Sequence, residues 1–286
     1  MKFESLPRWQ IMFIVVAVAG ALPGAPAAEP PSLTAEQIVK KVMEKVRAPE
    51  RSEHRQDYAY SKHVLTEELD GKGQVEDRKE KDYLVQGGVA FLQRMKVNGE
   101  PVSEAELKKE NERVLKTRQK LTGAKIAKTD ENWETFITSD LLARYKFTLV
   151  RQELVNQRPS YVLTFVPLSG KLPVKRTMDR VLNQLTGAVW VDAQEFEIAK
   201  ADVAVQSKVT LGGILEIIGA LKQFHYVIER QRVDNLVWFN HATKGEIQGR
   251  KLWDTTHVRS QTESSDFHKI PASVASDPAH PIAGGQ

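Results

Sequence analysis

Apolar residues recur along this chain in distinct rhythms, and each predicts a different element. Between residues 34 and 47 they fall at Ile38, Val39, Val42, Met43 and Val46, one face of a helix, with Thr34 and Gln37 spaced as a capping box. A stripe of that width calls for a sheet to cover. The rhythm then shifts toward strand alternation at 62–69 and 75–85, on either side of Asp70-Gly71-Lys72-Gly73, a hairpin turn whose glycines supply positive φ. The second of these strands is rich in charge, which predicts an edge position where Lys and Glu discourage pairing with another chain. A strand at 89–97 ends at Asn98-Gly99, and a second capping box, Ser103 with Glu106, opens a helix over 104–120. Its acids come first and its bases last, the order the helix dipole favours. The apolar stripe of Leu107, Val114 and Leu115 is thin, so this helix is expected as an appendage. A third helix, over 131–145, carries Trp133, Phe136, Ile137, Leu141 and Leu142 and is expected in the core.

From Phe147 onward, short apolar runs and turn residues predict strands at 147–154, 161–167, 179–185, 188–192, 196–206, 224–233, 236–239 and 244–255, with turns at 156–159, Thr186-Gly187 and Asp234-Asn235. Strands at this spacing with helices on one side give an α+β class, a curved antiparallel sheet covered by two or three helices. The tail from 270 to 286, with Pro271, Pro278, Pro281, Gly284 and Gly285, is expected to be disordered.

The N-terminus changes the picture of where this body works. Lys2 and Arg8 precede an apolar run at 11–22, followed by Pro23, Gly24 and the small residues Ala25, Ala27 and Ala28. That order predicts a secretory signal peptide at 1–27, cleaved after Ala27 or Ala28, and the run is well short of the roughly 20 residues a spanning helix needs. The periplasm is the expected compartment, with one domain at 28–269. Cysteine is absent, which excludes disulfides, thiolate metal sites, thiol nucleophiles and attachment of lipid at a cysteine. With 41 basic and 37 acidic residues interspersed, the net charge of +4 decides little, and no basic patch interleaved with stacking aromatics points to nucleic acid.

The chemistry-bearing motifs are missing too. There is no Gly-x-Ser-x-Gly elbow, Walker loop, Gly-x-Gly-x-x-Gly or His-Glu-x-x-His, so no enzyme activity, cofactor or metal is expected. His54 with His63, and Asp266 with His268, are too few ligands for a metal site and are read as solvent-facing. Glu67-Glu68 and Asp77 with Glu80 sit in charge-rich strands and are read the same way.

Two stretches carry the functional reading. Residues 209–221 hold Leu211, Ile214, Leu215, Ile217, Ile218 and Leu221, interrupted by Gly212, Gly213 and Gly219 and one charge, Glu216. Such a segment is either a buried helical turn joining two strands or a mobile lid with a greasy surface. The second stretch is the hairpin Gly187-Ala-Val-Trp-Val-Asp192 followed by Phe196, Ile198, Val203 and Val205, and Phe224, Tyr226 and Ile228 share one face of a later strand. The Gly-x-x-Trp-Val-Asp strand and its partner resemble the later hairpin of the LolA/LolB-like superfamily of periplasmic lipoprotein carriers. The order of signal peptide, amphipathic helix, long hairpins and mid-chain helix is similar to that family's half-open β barrel. The stretches Asp70-Gly-Lys-Gly-Gln-Val75 and Val97-Asn-Gly-Glu-Pro-Val-Ser103 resemble an uncharacterised branch of it.

What the resemblance implies is a non-enzymatic carrier that holds a lipid, or the acyl chain of a lipoprotein, in the hollow of the sheet. The expected contacts are Trp190, Phe196, Ile198, Val203, Val205, Leu211, Ile214, Leu215, Ile217, Ile218, Leu221, Phe224 and Tyr226. The charged helix at 103–120 has no counterpart in the carrier pattern, and Arg94, Arg144, Arg176 and Arg180 are equal candidates for the arginine that latches a carrier's lid. The alternative is a structural or interaction module of the cell envelope with a filled core and a protein partner.

Overall fold

The computed structural model describes residues 33–47, 54–120, 138–210, 219–251 and 254–271. In chain order these form α1 (Ala35–Arg47), a 3-10 turn (His54–Asp57), β1 (Tyr58–Leu69), β2 (Val75–Gln86), β3 (Val89–Val97), β4 (Glu100–Pro101) and α2 (Glu104–Lys120). Then come α3 (Ser139–Leu142), β5 (Tyr145–Val155), β6 (Arg158–Pro167), α4 (Thr177–Leu182), β7 (Leu185–Asp192) and β8 (Ile198–Val205). The last elements are β9 (Val209–Thr210), β10 (Gly219–Val233), β11 (Val237–Lys251) and β12 (Asp254–Lys269). The strands make one open antiparallel sheet of 12, in the order β4-β3-β2-β1-β12-β11-β10-β8-β7-β6-β5, with β9 paired to β10. This is the expected α+β class, a curved sheet that does not close, accompanied by helices.

α1 starts where its capping box predicts. The Thr34 amide donates to Gln37 Oε1 at 2.8 Å and the Gln37 amide to Thr34 Oγ1 at 3.3 Å. Its apolar stripe lies on the sheet, with Ile38 fully buried and Val42 nearly so. Beneath it are Tyr161 and Leu163 of β6, Val191 of β7, Ile198 and Ala201 of β8, and Ile228 of β10. The face that α1 covers is called the inner face below. Each fully buried side chain of this kind contributes about 1.5–3 kcal/mol, which is why a helix of 13 residues holds its place. A second apolar cluster joins Tyr58 and Tyr60 of β1, Val85 of β2, and Val233, Val237 and Phe239 at the β10–β11 turn.

Several sequence expectations need correction. The charged hairpin β1–β2 is not at an edge, because β1 pairs with β12 and β2 with β3. Its charges are paired instead, as in Glu67 with Arg259 at 2.8 Å and Arg78 with Glu80 at 3.0 Å. The edges are β3 with its short partner β4 on one side and β5 on the other. Residues 179–182 are helix rather than strand, because the Asp179 carboxylate accepts the amide N–H groups of Lys175 and Arg176 and opens α4. Thr186-Gly187 is not a turn but lies inside β7, where the backbones come close: a Cβ on Gly187 would stand 1.9 Å from the Asp202 carbonyl oxygen. The strands expected at 236–239 and 244–255 are one, β11, and β12 continues the sheet through residues to which the sequence assigned no element. The third helix is described only at Ser139–Leu142, and Tyr145, its expected last residue, opens β5. Trp133, Phe136, Ile137, the leader at 1–27 and most of the tail lie outside the described residues.

α2 begins at its capping box, with Ser103 and Glu106 hydrogen-bonded in both directions. It has a specific job on the sheet. Asn111 accepts the Leu92 amide at 2.8 Å and donates to the Leu92 carbonyl at 2.9 Å, so a side-chain amide takes the place of a neighbouring strand beside β3.

Candidate functional site

Strand register sets out the inner face row by row. Val203 of β8 pairs with Tyr226 of β10, Tyr226 with Gly245 of β11, and Gly245 with Ser260 of β12. In the next row Phe224 pairs with Ile247 and Ile247 with Val258. Leu221 stands opposite Gly249, and Val205 opposite Leu185. Alternation along each strand points all of these side chains to the face that α1 covers. Val203 and Tyr226 pack against the rim of the core under α1, and with Val205, Leu221, Phe224 and Val258 they are only half-buried, while Ile247 is 45% exposed. Phe224 and Tyr226 stack with ring centroids 6.5 Å apart. The Tyr226 ring leans across Gly245, where an added Cβ would meet it at 3.1 Å. The result is an apolar trough that grows out of the packed core.

The far wall of the trough is polar. Beyond Ile247 and Val258 the same face carries Thr243, Thr262, Thr66 and Glu68, in register across β11, β12 and β1. On β2, Lys79 bonds to Asp77 at 2.7 Å and approaches Glu68 at 3.4 Å. That ammonium group holds the Asp77 carboxyl below its ordinary value and is itself pushed up by it. Lys81 reaches Glu110 of α2 at 3.6 Å, and the Glu110 carboxyl is lowered first by Arg113 and then by Lys81. An apolar floor beside a wall of neutralised ion pairs suits a ligand with a hydrocarbon body.

The thirteen residues expected from the sequence therefore divide. Val203, Val205, Leu221, Phe224 and Tyr226 are brought together in the trough. Ile198 is buried in the core, and Phe196 lies against that core, stacked on Tyr161 at 6.4 Å with Lys41 Nζ 4.7 Å from its ring centre. Trp190 is on the opposite face, where its indole N–H donates to Glu153 and Lys200 stands 5.3 Å from its ring. Alternation puts it there, since Val189 and Val191 on either side belong to the inner core. Leu211, Ile214, Leu215, Ile217 and Ile218 lie outside the described residues. The ends of that segment are joined, because Val209 and Thr210 of β9 pair with Leu221 and Ala220 of β10.

Ile247 and Val258 are trough residues that sequence reasoning missed. Their signal is faint: each stands alone between polar neighbours, and only the alternation Gly245, Ile247, Gly249 marks the face.

The opposite face is polar and carries cross-strand histidine–carboxylate pairs. His63 meets Asp82 at 2.6 Å, His225 meets Asp202 at 2.8 Å, and His257 meets Glu246 at 2.7 Å. Arg94 also reaches Asp82, at 3.0 Å, beside a hollow of about 250 Å3 lined by His63, Glu80, Asp82, Arg94, Met95 and Lys96. Among the described residues no three His, Asp or Glu side chains converge as a metal site. Of the candidate latch arginines, Arg144 is buried and donates to the Pro173 carbonyl at 3.0 Å and Asn183 Oδ1 at 2.5 Å. Arg180 reaches the Thr210 carbonyl at 3.4 Å, next to the glycine-hinged segment.

No family model and no curated protein matches this chain. Solved structures do. A LolA superfamily protein from Nitrosomonas europaea is 15% identical, with 85% of this chain and 97% of that one covered and a TM-score of 0.31. A putative outer membrane lipoprotein-sorting protein domain from Vibrio parahaemolyticus is 13% identical, covering 85% and 98%, also at 0.31. The MucA/MucB complex of Pseudomonas aeruginosa matches at 10% identity, covering 83% and 99%, with a TM-score of 0.25.

Proposed function

We propose that this chain is exported by its N-terminal segment, cleaved behind Ala27 or Ala28, and holds a lipid or the acyl chain of a lipoprotein in the inner-face trough, without catalysis. The observation that carries the reading is the trough itself: seven half-buried or exposed apolar side chains, contiguous over four strands, on an open sheet. From β8 to β12 the lane crosses three strand spacings, roughly 14 Å. Burial of each methylene is worth about 0.8 kcal/mol, so eight of them supply about 6 kcal/mol before the cost of immobilising the chain. No polar contact is needed for that. Leu211, Ile214, Leu215, Ile217 and Ile218 belong to the same proposal as further apolar contacts.

Native mass spectrometry with lipid extraction, on the protein purified from a bacterial periplasm, tests this directly. A stoichiometric phospholipid or acylated peptide is expected. Ile247→Asp with Val258→Asp should lower acyl-chain binding at least tenfold, because both sites lie on the trough floor. The circular dichroism spectrum and the cooperative melt should survive, since Ile247 is 45% exposed and neither residue belongs to the two apolar core clusters. A clean apo mass after incubation with lipids and lipopeptides would instead favour an envelope interaction module, the reading that the helix-filled half of the inner face supports.

A further inference from the structure

Four of the nine large apolar side chains left exposed among the described residues fall in one short stretch: Val166 at 43%, Leu168 at 42%, Val174 at 51% and Met178 at 59%. The stretch joins β6 to β7 through α4. Exposed beside them are Lys171, Lys175, Arg176 and Arg180, while no acidic residue occurs between Glu153 and Asp179. Asp179 is itself buried at 1% and committed to the interior.

A loop with greasy tips and no anchor would simply fold over. This one is pinned from below. Asp179 accepts the Lys175 amide at 2.8 Å and the Arg176 amide at 3.0 Å, and its carboxylate lies 3.4 Å from the buried Arg144. Arg144 in turn holds the Pro173 carbonyl and Asn183. The buried pair therefore fixes the loop while Val174 and Met178 stay in solvent. Arg180 and the Gln206 amide, which donates to the Gln184 carbonyl at 2.8 Å, tie the same corner to β8 and β9, at the Val205 and Leu221 end of the trough.

We propose that the segment 166–180 is a docking surface for an anionic phospholipid bilayer, which would meet the protein at the end of the trough. Apolar tips enter the interface, and lysine and arginine stems lie along it with their charges at the phosphates. The commitment to a lipid surface rests on the pairing of exposed apolar tips with the exposed charges of Lys171, Lys175 and Arg180; Arg176 is already paired with Asp179 at 3.3 Å, the one acidic residue of the segment. The proposal does not depend on the trough holding an acyl chain, because docking and ligand binding are read separately.

The test is co-sedimentation of the purified protein with vesicles of mixed phosphatidylglycerol and phosphatidylcholine, against pure phosphatidylcholine, at low and high salt. Binding to the anionic vesicles alone, weakened by salt, is expected. Lys171→Gln with Lys175→Gln should weaken it about 25-fold, at about fivefold per positive charge. Val174→Ser with Met178→Ser should weaken it at least about tenfold, since both lose the buried apolar area. All four sites are exposed, so the variants should melt as the parent does, and any contribution from the N-terminal segment is common to every sample. Equal binding by the parent and both variants would overturn the proposal, as would no vesicle binding by the parent. Retention of an acidic polypeptide by the parent, lost in the lysine variant, without vesicle binding would also overturn it, in favour of a protein partner.

Discussion

Asp192 organises the turn between β7 and β8. It is fully buried, Arg158 donates to both of its oxygens at 2.6 and 3.0 Å, and the amides of Gln194 and Glu195 donate to Oδ1. Burial pushes its carboxyl up, but Arg158 and these amides together outweigh that and leave it below the ordinary 3.8. A depressed folded value means that the stabilisation is present above the unfolded value and is lost as pH falls through the folded one. Asp192→Asn should therefore cost stability at pH 6 and cost less at pH 2, so parent and variant urea midpoints should converge below about pH 4. Asp192→Ala, which leaves Arg158 with Gln194 and Glu195 alone and takes the acceptor from two amides, should cost about 2–3 kcal/mol at neutral pH. A midpoint difference that stays constant from pH 6 to pH 2 would remove the ion pair from this account.

Among the elements, α2 is the one whose role the structure redefines. A helix of that composition, read alone, is a solvated appendage. Placed beside β3, it supplies Asn111, whose side-chain amide takes up the N–H and C=O of Leu92 as a neighbouring strand would. Asn111→Ala should lower stability by about 1–2 kcal/mol and speed exchange of the Leu92 amide, read by hydrogen exchange. Unchanged protection at Leu92 would show that the side chain is dispensable there. At the far edge β5 keeps Val150 and Leu154 exposed, at 51% and 69%, with Lys146, Arg151 and Glu153 interleaved, the charge pattern that restrains edge-to-edge association.

At the scale of the whole molecule, the sheet is held by a pairing between its first and last strands in sequence. β1 lies against β12, and Glu67 meets Arg259 across 192 residues of sequence. So much non-local pairing predicts slow folding, in milliseconds to seconds. A chain ending at residue 253 leaves β1 and β11 without the strand between them, and is expected to lose its cooperative melt. Survival of that melt would make β12 an accessory.

What the sequence determined by itself is local. The capping boxes at Thr34 and Ser103, the alternation of Val203 with Val205 and of Phe224, Tyr226 and Ile228, and the Asp70 and Asp234 turns follow from spacing and side-chain chemistry within a few residues. They suffice for the class and for five of the trough residues. Only the tertiary structure decided what depends on neighbours distant in sequence. β12 is polar along most of its length, and becomes a strand because partners on both sides satisfy its backbone. Trp190 turns away from the trough because the phase of β7 is set by Val189 and Val191 beneath α1. Ile247 and Val258 acquire a shared surface only when their strands are paired. Asp179 reads as part of a strand from the sequence; its carboxylate opens α4 by accepting the Lys175 and Arg176 amides, and it can be buried there because Arg144, 35 positions earlier, stands 3.4 Å away.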